Sequence, residues 1–321
     1  MSEVGNESLA GETSWLMRPR VSESCASRIT HHPSRPSASG FTLIELIIAI
    51  SLSGIVVAFA AMFILTPVKS YQAQARRAEL VDTADSLLRL IGRDARAALP
   101  NSIRVIDTGT ITALEMLAAV DAVRYRDGGS TANATQELDF SAPDADFSSL
   151  SQFDGLTRPF ITTTHYLAIY NVGVPGANAY SLANVITPAG TQITISANPS
   201  NPTTEDLIHL NNAFRFTYGS PGHRVYLVSG PVTYLCNETT KTVRRYSGYT
   251  IAANQATRAT DKDLTDNGAT SALVANNITS CQFDYAAGTA QRAGLVTLRV
   301  TINKDGESIW LLNQVHVENA P

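Results

Sequence analysis

The sequence predicts an α+β protein in which one long N-terminal helix packs on an antiparallel β-sheet. Residues 41–65 carry no charge except that of Glu45. In residues 67–99, apolar side chains recur at steps of three and four, which is typical of an amphipathic helix. Beyond Pro100, short β-like runs are separated by Gly, Pro, Asn, Ser and Thr. These three observations predict both the fold class and the order of its parts.

Length and charge limit the classes of function. The chain has 321 residues, which is enough for one or two domains with a sizeable core, and its formal net charge is −4. It has no polybasic tract, so nothing indicates a nucleic-acid partner. Charged residues are sparse, while Ser, Thr, Asn and Ala are abundant, as in many extracytoplasmic β-rich proteins.

Residues 1–40 are interpreted as a leader and are kept out of the fold prediction. They are polar, rich in Ser, Arg and His, and lack apolar periodicity; either Met1 or Met17 is the start. Arginines precede the apolar run and none lies within it: Arg18, Arg20, Arg28 and Arg35. This asymmetry favours a leader that stays in the cytoplasm and a C-terminal region that is exported.

The run from Phe41 to Leu65 predicts a single membrane-spanning helix. Its 25 residues would span about 37 Å, and a hydrocarbon core is roughly 30 Å thick. A charge at the position of Glu45 costs roughly 2.5–3.5 kcal/mol on insertion scales, so we interpret this residue as functional. Pro67 predicts a kink or a local break after the span.

Residues 67–99 predict the amphipathic half of the same helix. Apolar side chains from Tyr71 to Ala98 define one face, while most arginines and aspartates occupy other faces. The helix should stop near Leu99, because Pro100 disfavours α geometry in the residue before it. Helical structure is therefore expected, almost unbroken, from Phe41 to Leu99.

Seven runs beyond Pro100 are predicted as strands. The clearest is Leu295–Ile302, in which apolar residues alternate with Thr and Arg as on a half-buried strand. Residues 127–159 and 252–270 are predicted as long polar loops or insertions. The predicted strands are THYLAIYNV, TQITIS, FRFTYG, RVYLVSGPVTYLC, CQFDYA, GLVTLRVTI and IWLLNQVHV.

The segment GFTLIEL, Gly40 to Leu46, resembles the class III signal of type IV pilins and type II secretion pseudopilins. The resemblance implies that a prepilin peptidase cleaves between Gly40 and Phe41 and that Phe41 becomes N-methylated. It also implies that Glu45 docks against the Phe41 ammonium of an adjacent subunit during assembly. The alternative for Glu45 is a protonated acid in a simple anchor.

Longer segments resemble the O-type minor pilins of mannose-sensitive haemagglutinin (MSHA) pili. They are RRAELVDTADSLLRLIGRDARAALPNSIRV, VSGPVTYLCN, RRYSGY and RAGLVTLRVTI with LLNQVHVENAP. The resemblance implies a cleaved leader (1–40), a transmembrane assembly helix (41–66), an amphipathic half-helix (67–99) and a periplasmic β-rich domain (100–321). The implied location is the inner membrane, followed by incorporation into a pilus or a periplasmic pseudopilus.

The implied partners are other major and minor pilins, the prepilin peptidase and methyltransferase, and the inner-membrane assembly platform. A J-type pseudopilin of a type II secretion system is the alternative with the same architecture. One departure concerns the apolar helix: Gly54 matches a glycine common in the family, but Met62 stands where the family often has proline. Local melting of this helix in a filament is therefore less strongly implied.

No sequence motif indicates an enzyme, a cofactor or a metal site. The motifs G-x-S-x-G and H-E-x-x-H are absent, and four histidines are scattered without ligand spacing: His165, His209, His223 and His316. Asp261–Gly268 hints at a calcium loop, but Asp266 stands where an EF-hand requires glycine, so a solvated turn is favoured. A binding patch at Arg244, Arg245, Tyr246 and Tyr249 is explained equally well by strand alternation. A membrane-tethered hydrolase or binding protein remains the third alternative.

The three cysteines of the chain divide unevenly. Cys25 precedes the apolar run, and Cys236 and Cys281 lie far beyond it. If the region after Leu65 is exported, Cys236 and Cys281 are the possible pair in an oxidising compartment. The alternative is two buried free thiols.

Overall fold

The computed structural model describes residues 40–127, 136–289 and 292–319. The chain divides into two units between Met62 and Phe63. Helix α1 (Leu43–Arg96) contains residues of both units, and a short helix α2 (Asp261–Asp266) lies in the second. The strands of the described residues are β1 (Arg104–Asp107), β2 (Ile111–Arg124), β3 (Asp144–Ser148), β4 (Phe160–Thr162), β5 (Tyr166–Ala168), β6 (Ile193–Ala197), β7 (Asp206–Phe214), β8 (Arg224–Asn237), β9 (Thr242–Ser247), β10 (Thr270–Asn276), β11 (Ile278–Ala286), β12 (Gly294–Lys304) and β13 (Glu307–Val317).

The second unit has the α+β fold that the sequence predicts, with three antiparallel sheets. The largest has the order β1-β2-β8-β9-β10, and β5 also pairs with β8. A second sheet has the order β11-β12-β13, and a third has the order β3-β7-β6-β4. This arrangement of a long helix on antiparallel sheets is that of a type IV pilin-like fold.

Helix α1 departs from the prediction at two positions. It continues through Pro67, so the predicted local break does not occur there. Proline removes one backbone donor, and a long helix tolerates this loss where its other hydrogen bonds remain. The helix ends at Arg96 rather than near Leu99, because Ala98 forms a bridge with Ala118 and Leu99 N–H donates to the Leu117 carbonyl at 2.8 Å.

The main core lies between the C-terminal part of α1 and the first two sheets. One face of the helix is buried here: Leu80, Ala84, Leu87, Leu88, Ile91 and Ala95. Apolar side chains from β2, β8, β9, β11, β12 and β13 complete the cluster. The three- and four-residue spacing of the helix is therefore explained by burial against the sheets.

A second core separates the long β2–β8 pair from the four-stranded sheet. Its residues include Val123, Phe147, Ile195 and Ile208. Strand β8 reaches both cores, although Pro231 lies near its middle. Gly230 has a φ of 115° and the β2–β8 register shifts beside it, so this proline sits at a bulge, where a missing ladder donor is tolerated.

Several sequence predictions of local structure are wrong. The run FRFTYG contains only the end of β7, at Phe214, and the remaining residues are not in a strand. The predicted loop 127–159 contains β3, and the predicted loop 252–270 contains α2. A capping box explains α2, because the Thr260 side chain accepts from Asp263 N–H while the Asp263 carboxylate accepts from Thr260 N–H.

Candidate assembly site

The predicted cleavage site lies at the first described residues of the first unit. Gly40 and Phe41 are both exposed, and Phe41 retains 77 % of its accessible surface. A Cβ built on Gly40 would meet no atom within 4 Å. Both sides of the Gly40–Phe41 bond are therefore accessible in the structure, as a protease substrate requires.

Thr42 caps the helix that follows this bond. Its carbonyl accepts from Leu46 N–H at 3.1 Å, and its Oγ1 accepts from Glu45 N–H at 3.3 Å. Thr42 thus satisfies one of the backbone donors that every helix N-terminus leaves unpaired. Glu45 occupies the first helical turn, where a carboxylate interacts favourably with the helix dipole.

The Glu45 carboxylate is exposed, and it has no side-chain partner within residues 40–127, 136–289 and 292–319. It lies in a stretch in which the large apolar side chains are exposed as well. Those of the first unit are Phe41, Leu43, Ile44, Leu46, Ile47, Ile48, Ile50, Leu52, Ile55, Val56, Val57, Phe59 and Met62. Within the described residues, α1 is the one helix long and apolar enough to cross a membrane. The arrangement presents one negative group on an apolar rod.

The helix is continuous through both positions at which the sequence was compared with the pilin pattern. Gly54 and Met62 are helical, and a Cβ on Gly54 would meet nothing within 4 Å. Near them, the Ser51 hydroxyl donates to the Ile47 carbonyl at 2.7 Å, so this polar side chain is satisfied within the helix. Glu45 is thus the charged group of a stretch in which the Thr42 and Ser51 side chains bond to the helix backbone.

A second carboxylate of α1, Asp94, is held by the sheet of the second unit. It accepts from the Tyr234 hydroxyl at 2.7 Å and from Arg245 Nε at 2.9 Å. Burial acts to raise the pKa of Asp94, but the hydrogen bonds from Tyr234 and Arg245 and the positive charge of Arg245 outweigh it, so the pKa is lowered. The ionised carboxylate therefore ties α1 to β8 and β9.

Gly92 allows α1 to approach β13 closely. A Cβ at this position would lie 3.1 Å from Val315 Cγ2, which is tighter than an ordinary van der Waals contact. Sequence reasoning missed Thr42, Gly92 and Asp94. The T-x-x-E spacing of Thr42 and Glu45 was a readable capping signal, whereas the roles of Gly92 and Asp94 depend on strands that are distant in sequence.

Cys236 of β8 and Cys281 of β11 are bonded to each other in the structure, and the bond lies within the main core. It joins the largest sheet to the three-stranded sheet. Cys281 N–H also donates to Glu238 Oε1 at 3.1 Å. The bond is placed where it limits separation of the two sheets beneath α1.

The histidines of the second unit have separate partners. His165 Nδ1 lies 2.8 Å from Thr162 Oγ1, His209 Nδ1 lies 2.8 Å from Asp146 Oδ1, and His223 Nε2 lies 3.5 Å from Asp127 Oδ2. Burial lowers the pKa of His165. His316 is exposed on β13. Among the described residues, no group of three or more His, Cys, Asp or Glu could hold a metal ion.

The possible calcium loop, Asp261–Gly268, also has its acidic side chains bonded within the protein. The carboxylates of the Asp261–Gly268 segment have protein partners: Tyr246 contacts Asp261, Thr260 contacts Asp263, and Lys262 contacts Asp266. This segment is a capped helix, not a solvated turn. Its acidic oxygens are thus engaged within the protein rather than arranged as a cation cage.

The arginines of β9 and the nearby Tyr249 also have different partners. Arg245 contacts Asp94, whereas Arg244 donates to Ser271 Oγ at 3.1 Å. The Tyr249 hydroxyl lies 2.6 Å from Thr233 Oγ1, and burial raises the pKa of Tyr249. These side chains point to different elements and do not form one patch.

Comparison with known families supports the assembly interpretation of the N-terminal segment. Residues 35–61 match the family described as the prokaryotic N-terminal methylation motif, the signal of type IV pilins. Comparison with curated proteins and with solved structures found no match. Proteins with this signal are structural rather than enzymatic and are processed by prepilin peptidase. The chain thus carries a type IV pilin signal on a pilin-like fold, and this supports its place in the pilin and pseudopilin superfamily.

Proposed function

We propose that this protein is a minor pilin of an MSHA-type type IV pilus that takes part in pilus assembly at or near the filament tip. One observation carries the pilin part of the proposal: the methylation motif at residues 35–61 contains Glu45, an exposed carboxylate on the otherwise uncharged stretch 43–66 of α1. An enzyme would need a site for chemistry, whereas a subunit needs a means of recognising its neighbours. The N-terminal segment offers a means of recognising neighbouring subunits.

Processing creates the complementary charge. Hydrolysis of the Gly40–Phe41 bond leaves a carboxylate on Gly40 and an amino group on Phe41, and N-methylation keeps that nitrogen basic. An α-amino group has a pKa of about 8, so it is largely protonated at neutral pH. The Phe41 ammonium of one subunit then pairs with Glu45 of the next. Two charges in lipid are less costly when they are paired, so pairing selects correct neighbours.

The proposed organisation follows from this role. Residues 1–40 form the cytoplasmic leader that is removed, and residues 41–66 form the membrane and assembly helix. Residues 67–99 form its amphipathic half, and residues 100–321 form the periplasmic domain, closed by the Cys236–Cys281 bond. Prepilin peptidase, the assembly platform and the other pilins are the partners.

Mass spectrometry of the protein isolated from membranes tests the proposal. The mature chain should begin at Phe41 and carry one additional methyl group on its amine. Gly40→Leu should block cleavage, because the peptidase site needs a small residue, whereas Gly54→Leu should be cleaved normally. A chain isolated with residues 1–40 still attached, in cells with an active prepilin peptidase, would contradict the proposal.

A J-type pseudopilin is the second candidate, because the same motif and fold serve a secretion pseudopilus equally well. Deletion of the gene distinguishes the two. Loss of surface pili with normal protein secretion supports the minor pilin. Loss of secretion with normal pili supports the pseudopilin.

A further inference from the structure

Strand β13 is a free edge of its sheet. In the described residues it pairs with β12 and with no other strand. The pairing extends over all eleven residues, Glu307–Val317, without a register shift. An edge of this length presents a row of unpaired backbone donors and acceptors.

The hairpin register identifies the residues whose backbone groups point outward. Lys304 pairs with Glu307 across a two-residue turn in which Asp305 has a φ of 51° and Gly306 a φ of 83°, as in a type I′ turn. The closing pair of such a hairpin exchanges both hydrogen bonds, and bonded pairs then alternate along the ladder. The outward groups therefore belong to the other set: Ser308, Trp310, Leu312, Gln314 and His316.

The same set exposes apolar side chains on the outer face of the sheet. Trp310 retains 60 % and Leu312 retains 51 % of their accessible surface. The Arg299 guanidinium carbon lies 4.9 Å from the Trp310 ring centroid and covers part of it. Natural edges are commonly protected by Lys, Pro or a bulge, and β13 has none of these.

Helix α1 runs beside this edge and brings positive charge to it. Arg77 contacts Glu307 at 3.1 Å at the start of β13, and Gly92 lies against Val315 near its end. Between them is a groove of about 660 Å³ bordered by Leu311, Leu312 and Asn313 on one side and by α1 on the other. Three arginines and one aspartate of α1 line it, a net charge of +2: Arg89, Arg93, Arg96 and Asp85. Arg89 is paired with Asp85 at 2.6 Å and Arg93 with Asp94 at 3.1 Å, but the arginines of both pairs are largely exposed and keep donors on the side of the solvent.

A second copy of this chain fits the edge poorly. Antiparallel pairing of two β13 strands would bring two positively charged grooves together. A strand added to β13 would instead alternate between two environments, because successive side chains point to opposite faces. On the inner face they would lie over the α1 arginines, and on the outer face beside Trp310 and Leu312.

We propose that β13 accepts an extended segment of a partner protein in which acidic and apolar residues alternate. Backbone hydrogen bonds to β13 supply affinity, the arginine row Arg89, Arg93 and Arg96 selects carboxylates, and Trp310 and Leu312 select apolar side chains. This surface belongs to the second unit and does not depend on Glu45. It is a binding site additional to the contact that the proposed function requires.

A labelled ten-residue peptide of alternating Glu and Val, titrated against the full chain in lipid nanodiscs, tests this surface by fluorescence anisotropy. The peptide should bind at least tenfold more tightly than one in which Lys replaces Glu, and added salt should weaken its binding. Equal binding of the two peptides, or no binding of the Glu–Val peptide at millimolar concentration, would overturn the proposal.

Variants locate the site. Leu312→Pro removes an outward backbone donor as well as the apolar side chain and should weaken binding at least tenfold, whereas Leu312→Ala keeps that donor, loses only the apolar contact and should weaken binding less. Arg89→Gln combined with Arg96→Gln should also weaken binding, while Arg124→Gln on β2, outside the groove, should not. Unaffected binding in the double arginine variant, or self-association that Leu312→Pro abolishes without any peptide binding, would contradict the proposal.

Discussion

Two stretches of α1 are both helical and rich in apolar residues but differ in what covers them. In residues 43–62, every large apolar side chain is exposed, whereas in residues 80–95 one face is buried by the sheets. The apolar face of the later stretch is buried within its own unit. The earlier stretch needs lipid or neighbouring molecules to cover it. Residues 80–95 therefore stabilise the fold, whereas the apolar side chains of residues 43–62 are accessible to lipid or other molecules.

The two carboxylates Glu45 and Asp94 show the same contrast. Asp94 is bonded to Tyr234 and Arg245 of the sheet. Glu45 has no such side-chain partner in the part of the chain that the structure describes. Asp94 is a hydrogen-bond acceptor within the fold, whereas the Glu45 carboxylate is exposed.

The largest expected effect on the second unit alone comes from the disulfide. The Cys236–Cys281 bond closes a loop with a sequence separation of 45, and such a loop stabilises a fold by about 4 kcal/mol in the chain-entropy model. Cys236→Ser with Cys281→Ser should therefore lower the free energy of unfolding by about that amount. Denaturant unfolding followed by Trp310 fluorescence measures it, with helix content in micelles as the control for residues 43–62.

If the double variant unfolds at the same denaturant concentration as the oxidised wild type, the bond has no stabilising role. Non-reducing mass mapping of the periplasmic protein should also find Cys236 linked to Cys281. Free thiols at both positions would show that the bond is absent from the natural protein.

Matched glycine substitutions compare the two stretches directly. Gly92→Leu should lower the free energy of unfolding by about 1–3 kcal/mol, because overpacking against Val315 displaces the helix or the strand. Gly54→Leu meets no neighbouring atom, so the stability of the second unit should not change. Thermal unfolding of both variants in the same detergent provides the measurement. Equal effects of the two would remove the distinction between a packed and an unpacked stretch.

The smallest effect is a pH dependence that belongs to Asp94. Because its pKa is lowered in the folded protein, its contribution to stability is fully present well above pH 3.8 and is lost as the pH falls below that value. The difference in unfolding midpoint between the wild type and Asp94→Asn should therefore shrink from pH 7 to pH 2.5. A difference that stays constant over this range would show that the ionised form of Asp94 is not what ties α1 to the sheet.

The sequence predicted the helix well and the sheets only in part. The uncharged run and the three- and four-residue spacing reflect local requirements, so both stretches of α1 could be read directly. Strand β2 was missed because ITALEMLAAVDAVR is rich in strong helix formers. It is buried continuously from Thr112 to Leu117, with α1 packed on one face and Tyr249 on the other, so the alternation that identifies a strand is absent.

The candidate site shows the same division. Gly40, Phe41 and Glu45 lie within six residues, so one local motif was enough to identify them. Asp94 and Gly92 gain their roles from β8, β9 and β13, which follow more than 130 residues later. No local pattern could have indicated those partners, because tertiary packing alone brings them to the helix.

Incorporation of a Glu45→Gln variant into filaments is the sharpest test of recognition through this carboxylate, since the substitution removes the charge and keeps the size of the side chain. We expect normal membrane insertion and a normal N-terminus at Phe41, with at least a tenfold loss of the protein from sheared pili. Ser51→Ala, six residues further along the same helix, should be incorporated as the wild type is. Wild-type incorporation of Glu45→Gln would show that subunits do not recognise each other through this carboxylate.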